Sequence, residues 1–147
     1  MAVLAVALLV ACGPERPKQV IEVTQYNNGD GVPLYVSGDA NKLSGAPRDF
    51  RTFLADQARK AIQADDGSCA EPPVYTIKTI SDTGFAGGDF SQCGIKHLVW
   101  AKAEGEWSQV LSYDADPLCA DLKAHKIPPG ITGKTCRDDG GLRPYQG

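Results

Sequence analysis

The sequence predicts an α+β domain in which one long and one short helix pack on an antiparallel sheet, with a central three-stranded meander and two disulfides. Three observations support this prediction: one segment has the apolar spacing of an amphipathic helix, three later runs have strand composition, and the last four cysteines form an even set. A hydrophobic fraction of 42% and a charged fraction of 22% are typical of a globular domain.

The first residues have the pattern of a targeting segment. Residues 2–10 are an unbroken apolar run, which is shorter than the roughly 20 residues of a spanning helix. The run ends in Leu9-Val10-Ala11-Cys12, which resembles the bacterial lipobox. That resemblance implies cleavage before Cys12 and attachment of diacylglycerol, with acyl chains such as palmitate, to its sulfur. The alternative is an apolar strand or helix with a buried cysteine.

Domain boundaries and location follow from this interpretation. We expect a signal peptide at residues 1–11, a lipidated tether at 12–19, a single domain at 20–136 and a disordered polar tail at 137–147. A lipid on Cys12 would hold the protein on the outer face of the bacterial cell membrane, because two acyl chains are enough for stable anchoring.

The cysteine count agrees with an oxidising location. With Cys12 acylated, four of the five cysteines remain: Cys69, Cys93, Cys119 and Cys136. Three pairings are possible, and we favour the two local ones, Cys69 with Cys93 and Cys119 with Cys136. A zinc site is the rival interpretation, but the sequence has no CxxC pair, so we predict no metal.

Two segments have helical signals, and we expect both helices on one side of the sheet. Residues 47–64 carry apolar side chains at three- and four-residue steps, and Pro47 suits a first helical position. The apolar face comprises Phe50, Phe53, Leu54, Ala58, Ala61 and Ile62. The short helix lies in "DPLCADLKAHK", with Asp116 predicted as its N-cap.

The strands are predicted from β-branched and aromatic composition. Residues 20–26 and 34–38 are predicted to pair as a hairpin around "NNGDGVP". Residues 74–80, 94–103 and 106–113 form the meander, with a tight turn at Glu104-Gly105 and a middle strand covered in part on both faces. The glycine-rich "GFAGGDF" at residues 84–90 is predicted to be a mobile loop or a turn.

No catalytic or cofactor motif is present. The chain lacks GxSxG, GxGxxG, a P-loop and a calcium loop, and its two histidines, His97 and His125, are best explained by structural or surface roles. A net charge of -3 without a basic run gives no basis for nucleic-acid binding.

Four aromatic residues offer a candidate binding surface. Trp100 and Trp107 flank the Glu104-Gly105 turn, which first suggests cross-strand packing. If they instead line an open sheet face with Tyr75 and Tyr113, they would form an aromatic floor for an apolar ligand or a partner.

Three segments together resemble a family of small secreted actinobacterial lipoproteins with no assigned activity. They are "LSGAPRDFRTFLADQ", "CGIKHLVWAKAEGEWSQV" and "CADLKAHKIPPGITGKTC". The resemblance implies an envelope location and bridged cysteines, and it transfers no catalytic residues.

The function predicted from these features is a non-catalytic, lipid-anchored envelope protein that binds an envelope partner or a small apolar ligand. The alternative is an NTF2-like pocket protein with ligand-binding or enzymatic activity. A third is an inhibitor-like or sensor module acting through residues 84–90. A deep pocket that holds His97 beside a carboxylate would favour the NTF2-like alternative.

Overall fold

The computed structural model of the protein describes residues 21–147. The predicted signal peptide, Cys12 and the tether lie outside the described residues. The described part is an α+β fold with a six-stranded antiparallel sheet, a separate two-stranded sheet and two disulfides. Between residues 21 and 147, no helix has both the length and the apolar character needed to cross a membrane.

The centre of the large sheet is a meander of four strands, one more than predicted. The predicted runs form β3 (Val74–Ser81), β5 (Ile95–Ala103) and β6 (Glu106–Tyr113), and β4 (Phe85–Ser91) lies between β3 and β5. The predicted turn between β5 and β6 is confirmed, because Glu104 and Gly105 both have positive φ and Ala103 pairs with Glu106.

The additional strand, β4, is the segment that we predicted to be a loop, so that prediction was wrong. Its glycines do not make the segment mobile; they allow neighbouring backbone to pack closely against it. A Cβ at Gly88 would lie 2.2 Å from the Thr76 carbonyl oxygen, and one at Gly87 would lie 2.4 Å from that of Ile131. Gly87 and Gly88 therefore let β4 pack against β3 and a later loop.

The first two strands do not form the predicted hairpin. β1 (Val23–Gln25) and β2 (Val32–Leu34) both pair antiparallel with β3, at its two ends. They therefore run in the same direction along one edge of β3. Asn27 and Asn28 adopt positive φ, as the turn signal indicates, but residues 27–31 form a detour between two collinear strands instead of a reversal.

The long helix covers one face of the sheet, as predicted. α1 (Arg48–Ala64) follows Pro47 and buries Phe50, Leu54 and Ala58, and a short 3₁₀ helix (Ser37–Lys42) packs beside it. This side of the sheet is called the helix face below. Its buried residues are Tyr26, Leu34, Ala40, Leu43, Ala46, Phe50, Leu54, Ile77, Ile80, Ala86, Leu98, Trp100 and Trp107.

The short helix lies on the opposite face, which corrects the prediction that both helices share one side. α2 (Cys119–Ala124) buries Leu122 in a second core with Val99, whereas the neighbouring Leu98 belongs to the helix face. Alternation along β5 therefore places the two cores on opposite sides of the sheet. β5 is an inner strand with buried residues on both faces, as predicted.

The N-cap prediction for α2 was also wrong. Leu118, not Asp116, precedes the helix, and the Asp116 carboxylate instead binds the guanidinium of Arg137 at 2.7 Å. The Pro117 carbonyl also accepts the Arg137 N–H at 2.8 Å, so Arg137 fixes the residues just before the helix.

The predicted disordered tail contributes to a hairpin, another correction. β7 (Thr135–Asp138) pairs with β8 (Gly141–Pro144), and the Asp138 carboxylate accepts the Gly140 N–H at 2.9 Å within the turn. Beyond β8, the buried Tyr145 donates its hydroxyl to the Ile127 carbonyl at 2.7 Å. The polar composition of the tail gave no indication of this contact.

The two disulfides have the predicted connectivity. Cys69 is bonded to Cys93, which links the loop after α1 to the turn between β4 and β5. Cys119 is bonded to Cys136, and both are buried in the second core, where they join α2 to β7.

Candidate functional site

A row of polar side chains crosses three strands on the face opposite α1. Asp89 of β4 is directly opposite His97 of β5, and His97 is directly opposite Tyr113 of β6. Directly opposed residues of antiparallel strands project from the same face, so this register brings a carboxylate, an imidazole and a phenol together.

A β-bulge in β3 adds a cation to the row. The register shifts by one residue between Ile77 and Thr79, and Lys78 is the extra residue. Its ammonium lies 2.7 Å from Asp89 Oδ2, while His97 Nδ1 lies 2.7 Å from Asp89 Oδ1. Each oxygen of this carboxylate, only 15% exposed, therefore has its own nitrogen partner.

The row lines an open cleft of about 270 Å³. One wall is the loop of residues 128–133, which is fixed where the Thr79 hydroxyl donates to the Ile131 carbonyl at 2.8 Å. Gly87 permits the same approach, since any side chain there would meet Ile131. We call this site the polar cleft. Its lining includes Gln25, Lys78, Asp89, His97, Tyr113, Asp116, Pro117, Thr132 and Thr135.

Protonation states follow from the contacts. Burial, followed by the carboxylates of Asp89 and Asp116, raises the pKa of Tyr113 to about 12, so its hydroxyl stays protonated near neutral pH. The Asp89 carboxylate accepts hydrogen bonds only, so His97 Nδ1 is the nitrogen that donates to it, and within the described residues Nε2 has no hydrogen-bond partner.

The four predicted aromatic surface residues do not form a floor. Trp100 and Trp107 are buried in the helix face, and the Phe50 ring lies 6.3 Å and 4.4 Å from their rings. Tyr75 packs against the same core, whereas Tyr113 lies on the other face of the sheet. The tryptophans are therefore core residues that pack against Phe50, and the four residues do not share one exposed surface.

No protein-family model matches the chain, and no curated protein or solved structure matches it.

The two histidines differ in setting. His97 is half-buried in the polar cleft, and the exposed His125 follows α2. Among the described residues 21–147, no three His, Cys, Asp or Glu side chains are grouped as metal ligands would be.

The sequence alone could have located the row only if β4 had been recognised as a strand. Along β4, Phe85 and Asp89 belong to one face of the strand and Ala86 and Phe90 to the other. This alternation is hard to recognise in the sequence because the two glycines between them carry no side chains. Once β4 and β5 are paired, the eight-residue separation of Asp89 and His97 makes them opposed partners.

Proposed function

We propose that the protein is a lipid-anchored protein of the cell envelope that binds a small polar ligand in the polar cleft. The anchor would be a lipid on Cys12, and the location would be the outer face of the bacterial membrane. The observation that carries the binding proposal is the row Lys78, Asp89, His97 and Tyr113 along a cleft. An apolar ligand, the earlier expectation, loses its support because the tryptophans are buried.

The envelope location is supported by two independent features. The lipobox-like Leu9-Val10-Ala11-Cys12 supplies a site for an anchor, and the domain has two disulfides. Disulfides persist in oxidising compartments and are rare where thiols are kept reduced. This combination is the one expected of the actinobacterial lipoproteins that the sequence resembles.

The cleft groups favour a ligand that both accepts and donates hydrogen bonds. The Tyr113 hydroxyl and the remaining Lys78 N–H groups can donate, and His97 Nε2 can accept from a ligand O–H or N–H. Both oxygens of the Asp89 carboxylate already have nitrogen partners. Asp89 therefore orients Lys78 and His97 and is not expected to bind a cation from solution. Hydroxyl-rich or amide-bearing molecules fit this arrangement.

The location is tested by the intact mass of the protein from its native membrane, before and after reduction and alkylation. We expect a chain beginning at Cys12 with acyl groups attached, and four cysteines that react only after reduction. A full-length, unacylated chain with free thiols would remove the envelope proposal but leave the cleft proposal standing.

The cleft is tested by titrating the full chain with glycerol, acetamide and a soluble disaccharide while recording imidazole NMR signals. We expect at least one probe to shift the His97 signals in a saturable way. His97→Gln, followed through the ring signals of Tyr113, should weaken that binding about tenfold or more, because a ligand group loses a hydrogen-bond partner. His125→Gln is the matched control and should bind as wild type. If no probe saturates, the proposal of a polar ligand is wrong.

A second candidate function is acid–base catalysis on the bound ligand. The Asp89–His97 contact favours it, because a carboxylate on Nδ1 orients an imidazole whose other nitrogen can take a proton. Among the described residues, no hydroxyl or thiol hydrogen-bonds to His97 as a nucleophile would, so the imidazole would act on water or directly on the ligand. Turnover of a ligand that His97→Gln still binds but does not convert would establish this function.

A further inference from the structure

A second cavity lies on the helix face of the molecule, between α1 and the 3₁₀ helix. It has a volume of about 260 Å³ and is separated by the sheet from the polar cleft. Two arginines, Arg48 and Arg51, line it from α1, where a three-residue step places them on one flank of the helix. Its remaining lining residues are Ser37, Ala40, Asn41, Thr52 and Ala55.

Neither arginine is neutralised within the described part of the chain. None of the ion pairs between residues 21 and 147 involves Arg48 or Arg51. The carboxylates nearest in sequence are engaged elsewhere, Asp49 with Lys102 at 2.6 Å and Asp56 with Lys60 at 2.7 Å. Asp39 of the 3₁₀ helix is paired with Lys42 at 2.8 Å. Two like charges thus share one cavity.

Arg51 also has an unused hydrogen-bond donor. Its Nε atom is buried and has no partner among the described residues. Burial raises the pKa of the Tyr26 hydroxyl, and the positive charge of Arg51 opposes this increase. The Arg51 side chain is half-buried, and a charge that is partly withdrawn from water attracts an anion more strongly than an exposed charge does.

We infer that the cavity of Arg48 and Arg51 binds a phosphate group. Two guanidinium groups offer planar forks of N–H donors, which match the oxygens of a phosphate in number and geometry better than the two oxygens of a carboxylate. The phosphate can belong to a free phosphate compound or to a phospholipid headgroup. Tyr35 and Val36 directly precede the lining residue Ser37 and are 58% and 55% exposed. Exposed apolar side chains beside the cavity could contact a membrane, so a phospholipid headgroup is one source to test.

The test follows the Arg51 Nε–Hε NMR signal of the full chain during titration with sodium phosphate, with ionic strength held constant by sodium chloride. We expect a saturable shift that sodium acetate does not reproduce. Arg48→Gln should weaken phosphate binding about tenfold or more, since it removes one of two charged forks. Arg48 is exposed, so this variant should fold as wild type does.

Two further variants show whether binding depends on the planar guanidinium fork or only on a positive charge. Arg51→Lys keeps the charge but loses the fork, and we expect it to weaken binding to a similar extent. Because this variant also lacks the Arg51 Nε–Hε signal, its titration is followed through the Arg48 Nε–Hε signal. Arg59→Gln is the matched control on the same helix, because Arg59 is exposed and paired with Asp56 outside the cavity. It should change the affinity less than twofold.

Glycerophosphoglycerol, the headgroup of phosphatidylglycerol without its acyl chains, distinguishes the two sources. Tighter binding than inorganic phosphate supports a lipid headgroup, and weaker binding supports a free phosphate compound. The inference is overturned if phosphate does not saturate the signal, if acetate shifts it equally, or if Arg59→Gln weakens binding as much as Arg48→Gln. None of these results depends on the polar cleft.

Discussion

The two faces of the sheet are built by different means. On the helix face, one continuous amphipathic helix supplies Phe50, whose ring meets Phe53, Trp100 and Trp107. On the opposite face, α2, the loop of residues 128–133 and the β7–β8 hairpin contribute to a smaller core beside the polar cleft. That second core contains the Cys119–Cys136 disulfide.

This difference separates stability from recognition. Aromatic burial on the helix face supplies the larger apolar area and leaves little of the β5–β6 aromatic surface for a ligand. The opposite face buries fewer and smaller side chains and leaves a charged row open to solvent. We therefore expect mutations on the helix face to affect folding and those on the cleft face to affect binding first.

The largest effect is expected from Phe50→Ala. The fully buried ring lies within 4.4 Å to 6.4 Å of three other aromatic rings, measured between centroids. Its removal should lower the free energy of unfolding by about 3–5 kcal/mol, measured by urea denaturation. Ile62→Ala, at a 42% exposed position of the same helix, is the control and should cost about 1 kcal/mol or less. Equal losses would mean that the ring cluster does not dominate the helix face.

The next effect is expected from Cys119→Ala combined with Cys136→Ala. The bond closes a loop with a sequence separation of 17 residues, and its loss should cost about 3 kcal/mol. Amide exchange should accelerate in residues 127–145, which includes the cleft wall, before it does in α1.

Loss of the other disulfide provides the matched comparison. Cys69→Ala with Cys93→Ala opens a bond with a separation of 24 residues, so the global loss should be similar. That pair lies away from the loop of residues 128–133 and should leave its exchange rates relative to α1 unchanged. Identical exchange patterns in the two double variants would contradict a local role for Cys119–Cys136.

The faces also differ in how far the sequence predicts them. The helix, both disulfides and the strands β3, β5 and β6 follow from local patterns, such as the spacing of Phe50 and Leu54. Each helix or strand signal is contained within one element, and the disulfide pairing follows from the short separations of the cysteines along the chain, so no knowledge of the sheet is needed.

The cleft face depends on contacts that are distant in sequence. In the sequence, Gly87 and Gly88 suggest a loop. Their role in a strand is clear only in the fold, where Ile131 and Thr76 lie too close to leave room for a side chain. Likewise, the tail has polar, glycine-rich composition, and Tyr145 becomes an anchor only when Ile127 lies within reach of its hydroxyl. Asp89 and His97 were missed for the same reason, because their proximity requires the β4–β5 register.

The smallest effect is expected from Tyr113→Phe and is confined to alkaline pH. The pKa of Tyr113 is raised from 10.0 to about 12, first by burial and then by Asp89 and Asp116, so the folded state holds the proton more tightly than the unfolded state. Its contribution is complete below pH 10 and is lost as the pH rises toward 12, because only the unfolded chain ionises in that range.

At pH 11 this difference amounts to about 1 kcal/mol, so wild type should lose that much more stability between pH 9 and pH 11 than Tyr113→Phe does. Urea denaturation at both pH values measures it. The exposed Tyr35→Phe is the control and should follow wild type. If Tyr113→Phe also follows wild type, the Tyr113 phenol is not held protonated beside the two carboxylates. The hydroxyl would still donate at neutral pH, because even the ordinary tyrosine pKa of about 10 lies well above it, so only the effect attributed to burial and the two carboxylates would be lost.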